Sequence, residues 1–200
     1  MHRSPKFLKN IFPFRTWGIS VSDKSVFLTF DDGPHPGITP WVLDFLKEQG
    51  IVATFFCVGE NVLNYPDLYE RILKEGHKTG NHTMKHLNGM KIDKQTYLAS
   101  IKEAENVIKS NLFRPPYGRM NRRLDKSLSE DFKIIMWSWL SKDYDNTVPI
   151  EKIIHSAKRI RPGDILVFHD NIKTKERLKE ILPPIIKNLK ENQFTFKFID

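Results

Sequence analysis

Four short polar clusters carry the side chains in this sequence that can do chemistry. Asp31 and Asp32 stand side by side, followed by Gly33-Pro34. Adjacent carboxylates repel, and their joint ionisation is easiest to sustain when a cation takes one of them. One acid can then ligate a metal while the other accepts a proton from water. The same residues also suit an ordinary Asp-Gly-Pro turn. His82 and His86 are spaced so that both imidazoles share one face if the segment is helical. Two imidazoles and one carboxylate make a three-ligand metal site with an open position, the pattern of catalytic rather than structural zinc. The plainer alternative is a turn-capping His82 and a surface His86. Arg114 opens the run Arg114-Pro115-Pro116-Tyr117, whose prolines fix a loop. His169 is followed by Asp170. A histidine there can serve as acid or base near neutral pH, or be a hydrogen-bonded core residue. His35 can face the same cleft but is not expected to be catalytic. His2, His77 and His155 read as surface or turn residues, and Cys57 as a small buried hydrophobe.

These clusters need elements to position them. A strand over 26–30 leads directly into Asp31-Asp32. A helix follows, with Trp41, Val42, Phe45 and Leu46 at helical spacing and Gly50 as its stop. A second strand covers 53–58, a helix covers 66–75, and a short strand over 78–81 precedes His82. Asp93 caps a helix reaching about residue 109. Residues 112–113 lead into Arg114. A helix over 122–129, a strand over 132–137 and a helix over 150–159 come next. A buried strand over 165–168 ends at His169. The last helix, 176–190, is expected to be disturbed by Pro183-Pro184, and the last strand covers 194–198. Alternating strands and helices predict a parallel sheet or barrel covered by helices. Ligand sites in such folds lie at the carboxyl ends of the strands, which is where the polar clusters fall. We expect one domain over 21–200 behind an irregular lead-in over 1–20.

The chain has 200 residues, 40% hydrophobic and 28% charged, which is globular composition rather than disorder. A net charge of +8 permits a polyanionic partner without demanding one. The basic residues are scattered over predicted helix faces with no aromatic-interleaved strip, so no nucleic-acid partner is expected. A single cysteine rules out an internal disulfide framework. No apolar run reaches the roughly 18 residues needed to span a bilayer. The basic N-terminus lacks a signal-peptide apolar region, so a cytoplasmic location is the default expectation, and a monomer the default state.

Thr29-Phe30-Asp31-Asp32-Gly33-Pro34, His82-Thr83-Met84-Lys85-His86, Arg114-Pro115-Pro116-Tyr117, the stretch 137–143 and Val167-Phe168-His169 together resemble the polysaccharide deacetylase family (carbohydrate esterase family 4, the NodB homology domain). The five motifs occur in the family's order and span most of the chain. The resemblance implies an α/β fold, a distorted (β/α) barrel with about seven repeats. It implies metal-dependent hydrolysis of N-acetyl groups on N-acetylglucosamine-type sugars of peptidoglycan, chitin-like or related glycans. It further implies that Asp32, His82 and His86 hold a divalent metal, zinc first, with cobalt or another divalent ion as alternatives. Asp31 would be the base, Arg114 its partner, and the Tyr117 backbone N–H an oxyanion donor. His169 would be the acid, oriented by Asp143. Pro116, Tyr117, Trp137, Leu166 and Val167 would line the substrate pocket. Leu140 stands where many relatives carry an acid, and Tyr144 where many carry Trp, which leaves the groove's shape and substrate open. Two other readings remain: the same chemistry on a different C–N bond, and a catalytically silent carbohydrate-binding module.

Overall fold

The computed structural model describes residues 3–5 and 7–200; His2 lies outside them. The chain runs α1 (Leu8–Ile11), β1 (Arg15–Thr16), β2 (Ser25–Asp31), α2 (Thr39–Gln49), β3 (Thr54–Cys57), α3 (Gly59–Asn64), α4 (Pro66–Lys74), β4 (Lys78–Asn81), α5 (Lys94–Glu105), β5 (Leu112–Phe113), α6 (Asp125–Asp131), β6 (Lys133–Ile135), β7 (Trp139–Leu140), α7 (Ile150–Ala157), β8 (Ile165–His169), α8 (Lys175–Glu191) and β9 (Thr195–Lys197). The strand order is β1-β6-β5-β4-β3-β2-β8-β7, with β9 paired to the start of β2. Every ladder between these strands is parallel. Residues 133–140 pair with β5 and β1 at one end and with β8 at the other, so the sheet curls round on itself. This is the helix-covered parallel sheet that the alternation predicts, curled into the distorted barrel that the resemblance implies.

Strand β2 is buried along its whole length, as a parallel strand covered on both faces must be. Its side chains alternate. Val26, Leu28 and Phe30 join the outer core with Val42, Leu46, Leu178, Ile181 and Ile185 of the covering helices. Phe27 instead joins Phe56, Leu112, Ile135, Ile165 and Ile199, a separate apolar plug inside the curl. Thr29 and Asp31 share that inner parity. Each fully buried Leu, Ile or Phe contributes on the order of 1.5–3 kcal/mol of transfer free energy, so plug and outer core hold the strand ends in register.

Beyond small shifts at element ends, five differences from the sequence reading bear on the architecture. The stretch 1–20 is not irregular throughout, because β1 pairs with β6 and Arg15 makes a buried ion pair with Asp125 at 2.8 Å. Helix α3 was not foreseen. It stops before Pro66 because a residue preceding proline is pushed out of the helical region, and Tyr65 has φ −134°. Helix α5 ends at Glu105, four residues short, its exit tightened by N–H bonds from Asn106 and Val107 to carbonyls three residues back. The expected strand over 132–137 is shorter, β6 over Lys133–Ile135, and a separate two-residue strand, β7, follows it at Trp139–Leu140. Helix α8 runs unbroken through Pro183-Pro184, because Leu178, Ile181, Leu182, Ile185, Ile186 and Leu189 form one continuous buried stripe.

Candidate active site

Asp31, Asp32, His82, His86 and His169 line one cleft of about 910 Å³ at the carboxyl ends of the strands. Asp31 is the last residue of β2 and is 4% exposed. Arg114 reaches it from the loop after β5, with Nη1 donating to Asp31 Oδ1 at 2.6 Å and to Thr29 Oγ1 at 2.8 Å. The guanidinium also donates to the carbonyls of Ile135 and Met136, and lies 4.0 Å from the Phe56 ring centroid. Its burial is complete. Burial lowers its pKa and Asp31 offsets part of that, and each of the three guanidinium nitrogens has a hydrogen-bond partner, as a buried charge requires. Arg114 does not line the cleft; it lies beneath Asp31.

Asp32, His82 and His86 present ligand atoms that all lie within 4.8 Å of one another. His86 Nε2 is 3.0 Å and His82 Nε2 3.5 Å from Asp32 Oδ1. The His82–His86 segment is not helical. It leaves β4 as a loop in which Thr83 (φ 64°) and His86 (φ 51°) take the left-handed conformation. Asn81 Oδ1 accepts the Thr83 N–H, and Thr83 Oγ1 accepts the Leu87 N–H, so local side chains close these turns. His82 Nδ1 donates to the Arg114 carbonyl at 2.7 Å, which leaves Nε2 free to ligate. Burial would raise the Asp32 pKa, but His82 and His86 outweigh it and hold the carboxyl well below its ordinary value. A mixed imidazole–carboxylate set with room for further ligands fits a divalent ion such as zinc.

Across the cleft, His169 ends β8. Asp143 Oδ1 accepts from His169 Nδ1 at 2.6 Å, and its Oδ2 accepts the His169 N–H at 2.8 Å. Burial by itself would lower the His169 pKa. Asp143 overrides it, with Asp32 and Asp31 adding their pull, and pushes it up to about 10. Asp170, fully buried, is pushed up to about 8 by burial first and then by Asp32 and Asp31, against its hydrogen bond from Thr39.

Tyr117 (φ 60°) sits at the cleft edge with its ring 4.6 Å from that of His86. Trp137, Leu140, Tyr144 and Val167 line the wall toward His169. Two expected lining residues do not. Leu166 faces the outer core, because strand alternation sends Val167 and His169 to the cleft and Leu166 and Phe168 away from it. Pro116 is buried behind Tyr117. His77 is likewise no surface residue: it is 4% exposed, and its Nδ1 accepts the Ala53 N–H. His155 is exposed on α7 as expected, His35 lines the cleft, and Cys57 is buried. Asn171, which donates to Asp32 Oδ2 at 2.6 Å, escaped the sequence reading. Its one signal was a polar side chain next after His169-Asp170.

Fold and cleft together define a parallel β/α fold whose strand ends carry three residues able to hold a divalent ion. The polysaccharide deacetylase family profile matches residues 18–131. A peptidoglycan-N-acetylglucosamine deacetylase of Bacillus cereus is 35% identical over 189 residues, covering 90% of this chain and 89% of that protein. A chitooligosaccharide deacetylase of a Bradyrhizobium species is 34% identical over 165 residues, covering 78% and 75%. The crystal structure of a peptidoglycan N-acetylglucosamine deacetylase, solved with an N-hydroxybenzamide compound, superposes with a TM-score of 0.89 at 29% identity, covering 98% of this chain and 95% of that one. The chain belongs to the polysaccharide deacetylase family and is a hydrolase of the N-acetyl carbon–nitrogen bond. None of the described helices is long and apolar enough to cross a membrane.

Proposed function

We propose that this chain removes the acetyl group from N-acetylglucosamine residues of a glycan, with peptidoglycan and chitin-type oligosaccharides as the candidate substrates. The observation that carries this is the convergence of Asp32, His82 and His86 on one side of the cleft, facing Asp31–Arg114 and His169–Asp143. Asp32, His82 and His86 hold the metal, zinc by the character of its donors. When bound, that ion polarises the acetamide carbonyl and lowers the pKa of water. Asp31 takes the proton of the attacking water, and Arg114 holds its carboxylate in place. The backbone N–H of Tyr117 donates to the oxygen on which negative charge develops. His169, protonated through the neutral range, gives its proton to the departing amine, and Asp143 holds it in orientation. Trp137, Leu140 and Val167 offer an apolar wall for the acetyl methyl.

The test is acetate release from N-acetylglucosamine oligomers and from peptidoglycan, with zinc and with a chelator. We expect release that the chelator stops. Asp31→Asn removes the base but no ligand, so it should bind metal as before and lose about 10²–10⁴-fold in kcat. A folded, zinc-loaded protein that releases no acetate from either substrate would overturn this function.

A further inference from the structure

The two residues after His169 reach back into the turn that carries Asp31 and Asp32, and no step of the proposed chemistry uses them. Asp170 ties down alternate residues of that turn. Its N–H donates to the Asp31 carbonyl at 3.1 Å. Its carboxylate accepts the Gly33 N–H at 3.2 Å and the Thr39 hydroxyl at 2.6 Å. The Thr39 oxygen in turn accepts the His35 N–H at 2.8 Å. Backbone groups of residues 31, 33 and 35 thus converge on Asp170 and its partner Thr39. The approach is close: a Cβ on Gly33 would meet Asp170 Oδ2 at 2.2 Å.

Asp32 between them needs such support. It has φ 81°, a conformation that costs a non-glycine residue free energy and persists only where neighbours impose it. The Asn61 amide donates to its carbonyl at 2.7 Å, and its own N–H donates to the Phe56 carbonyl at 3.2 Å. Asn171 then fixes the side chain. Asn171 Oδ1 accepts the N–H groups of Lys173 and Thr174, which orients the amide, and Nδ2 donates to Asp32 Oδ2 at 2.6 Å. Asp32 Oδ1 is the oxygen left facing both histidines.

We propose that Asp170 and Asn171 are positioning residues for the metal ligand Asp32: Asp170 sets the backbone turn, and Asn171 selects which carboxylate oxygen faces His82 and His86. This rests on the metal reading above. A carboxylate held in its ligating orientation before the ion arrives loses little freedom on binding, and partners of this kind typically change metal affinity about 10–100-fold. Three consecutive residues of one strand end therefore serve both sides of the cleft: His169 the leaving group, Asp170 and Asn171 the metal.

The experiment is a zinc titration of the full chain against a chromophoric chelator, with the melting temperature of each metal-free form recorded alongside. Asn171→Ala, at a half-exposed position, should weaken zinc about 10–100-fold with its metal-free melting temperature unchanged. Thr39→Val frees one oxygen of Asp170 and should weaken zinc in the same direction. Asp170→Asn, which keeps an acceptor, should lose less affinity than Asp170→Ala. If Asp170→Ala fails to fold, Asn171→Ala and Thr39→Val decide. Wild-type zinc affinity in Asn171→Ala and Thr39→Val, whatever their melting temperatures, would overturn the proposal and leave the metal reading intact. A wild-type chain that takes up no zinc would overturn both.

Discussion

His169 and Asp143 show how one pair sets a protonation state. The imidazole's ordinary value is 6.5, and in the fold it stands near 10. The pair's contribution to folding is therefore fully present below pH 6.5 and is lost as the pH rises toward 10. A cation on Asp32 would cancel that carboxylate's share of the shift but leave the larger share from Asp143. Asp143→Asn removes the main upward pull and leaves burial, which acts downward. The alkaline limb of the kcat–pH profile should move to lower pH by more than about one unit, with metal content unchanged. A limb that stays in place would put the acid on another residue. Arg114 follows the same logic on the opposite side. It is buried because each of its three guanidinium nitrogens finds Asp31, Thr29 or a strand-end carbonyl, an arrangement that a lysine with its single charge point would not reproduce.

Among the elements, β8 and α8 do most to place the site. Alternation along β8 divides Val167 and His169, on the cleft, from Leu166 and Phe168, in the outer core. A slip of one residue would exchange the two sets, so the burial of Leu166 and Phe168 in the outer core is what aims His169. Helix α8 contributes its buried stripe to that core despite two internal prolines, each of which removes an i to i−4 hydrogen bond. Burial, not propensity, keeps it helical. Ile181 is completely buried in the stripe. Ile181→Ala should cost about 2–5 kcal/mol in urea unfolding, and zinc affinity of the folded fraction should be unchanged, since no ligand is on α8. A cost under about 1 kcal/mol would mean that the helix owes its continuity to something other than this stripe.

For the molecule as a whole, the curled sheet makes metal binding and folding one equilibrium. The three donors come from the ends of β2 and from the loop after β4, and they are brought together only in the folded chain. Zinc at about 100 times its Kd should add about 2.7 kcal/mol of stability. For a chain of this length that corresponds to a melting-temperature rise of roughly 5–11 °C. His82→Ala should abolish the rise, and a zinc-induced rise that survived in that variant would place the ion elsewhere. The alternation of strands and helices, the central strand 26–30, the Asp93 cap and the residue types of the cleft are all legible in the residue order. Those features follow from periodicity, local capping and the order of short motifs, all of which act within a few residues. The remainder depends on long-range packing. Leu166 and Pro116 leave the pocket through strand parity and loop depth, His77 is buried by its neighbours, and His82 and His86 meet through a left-handed loop rather than a helix face. Asn171 matters because the fold lays residue 171 against residue 32. Contacts across so many residues are set by how the sheet curls, which no local spacing records.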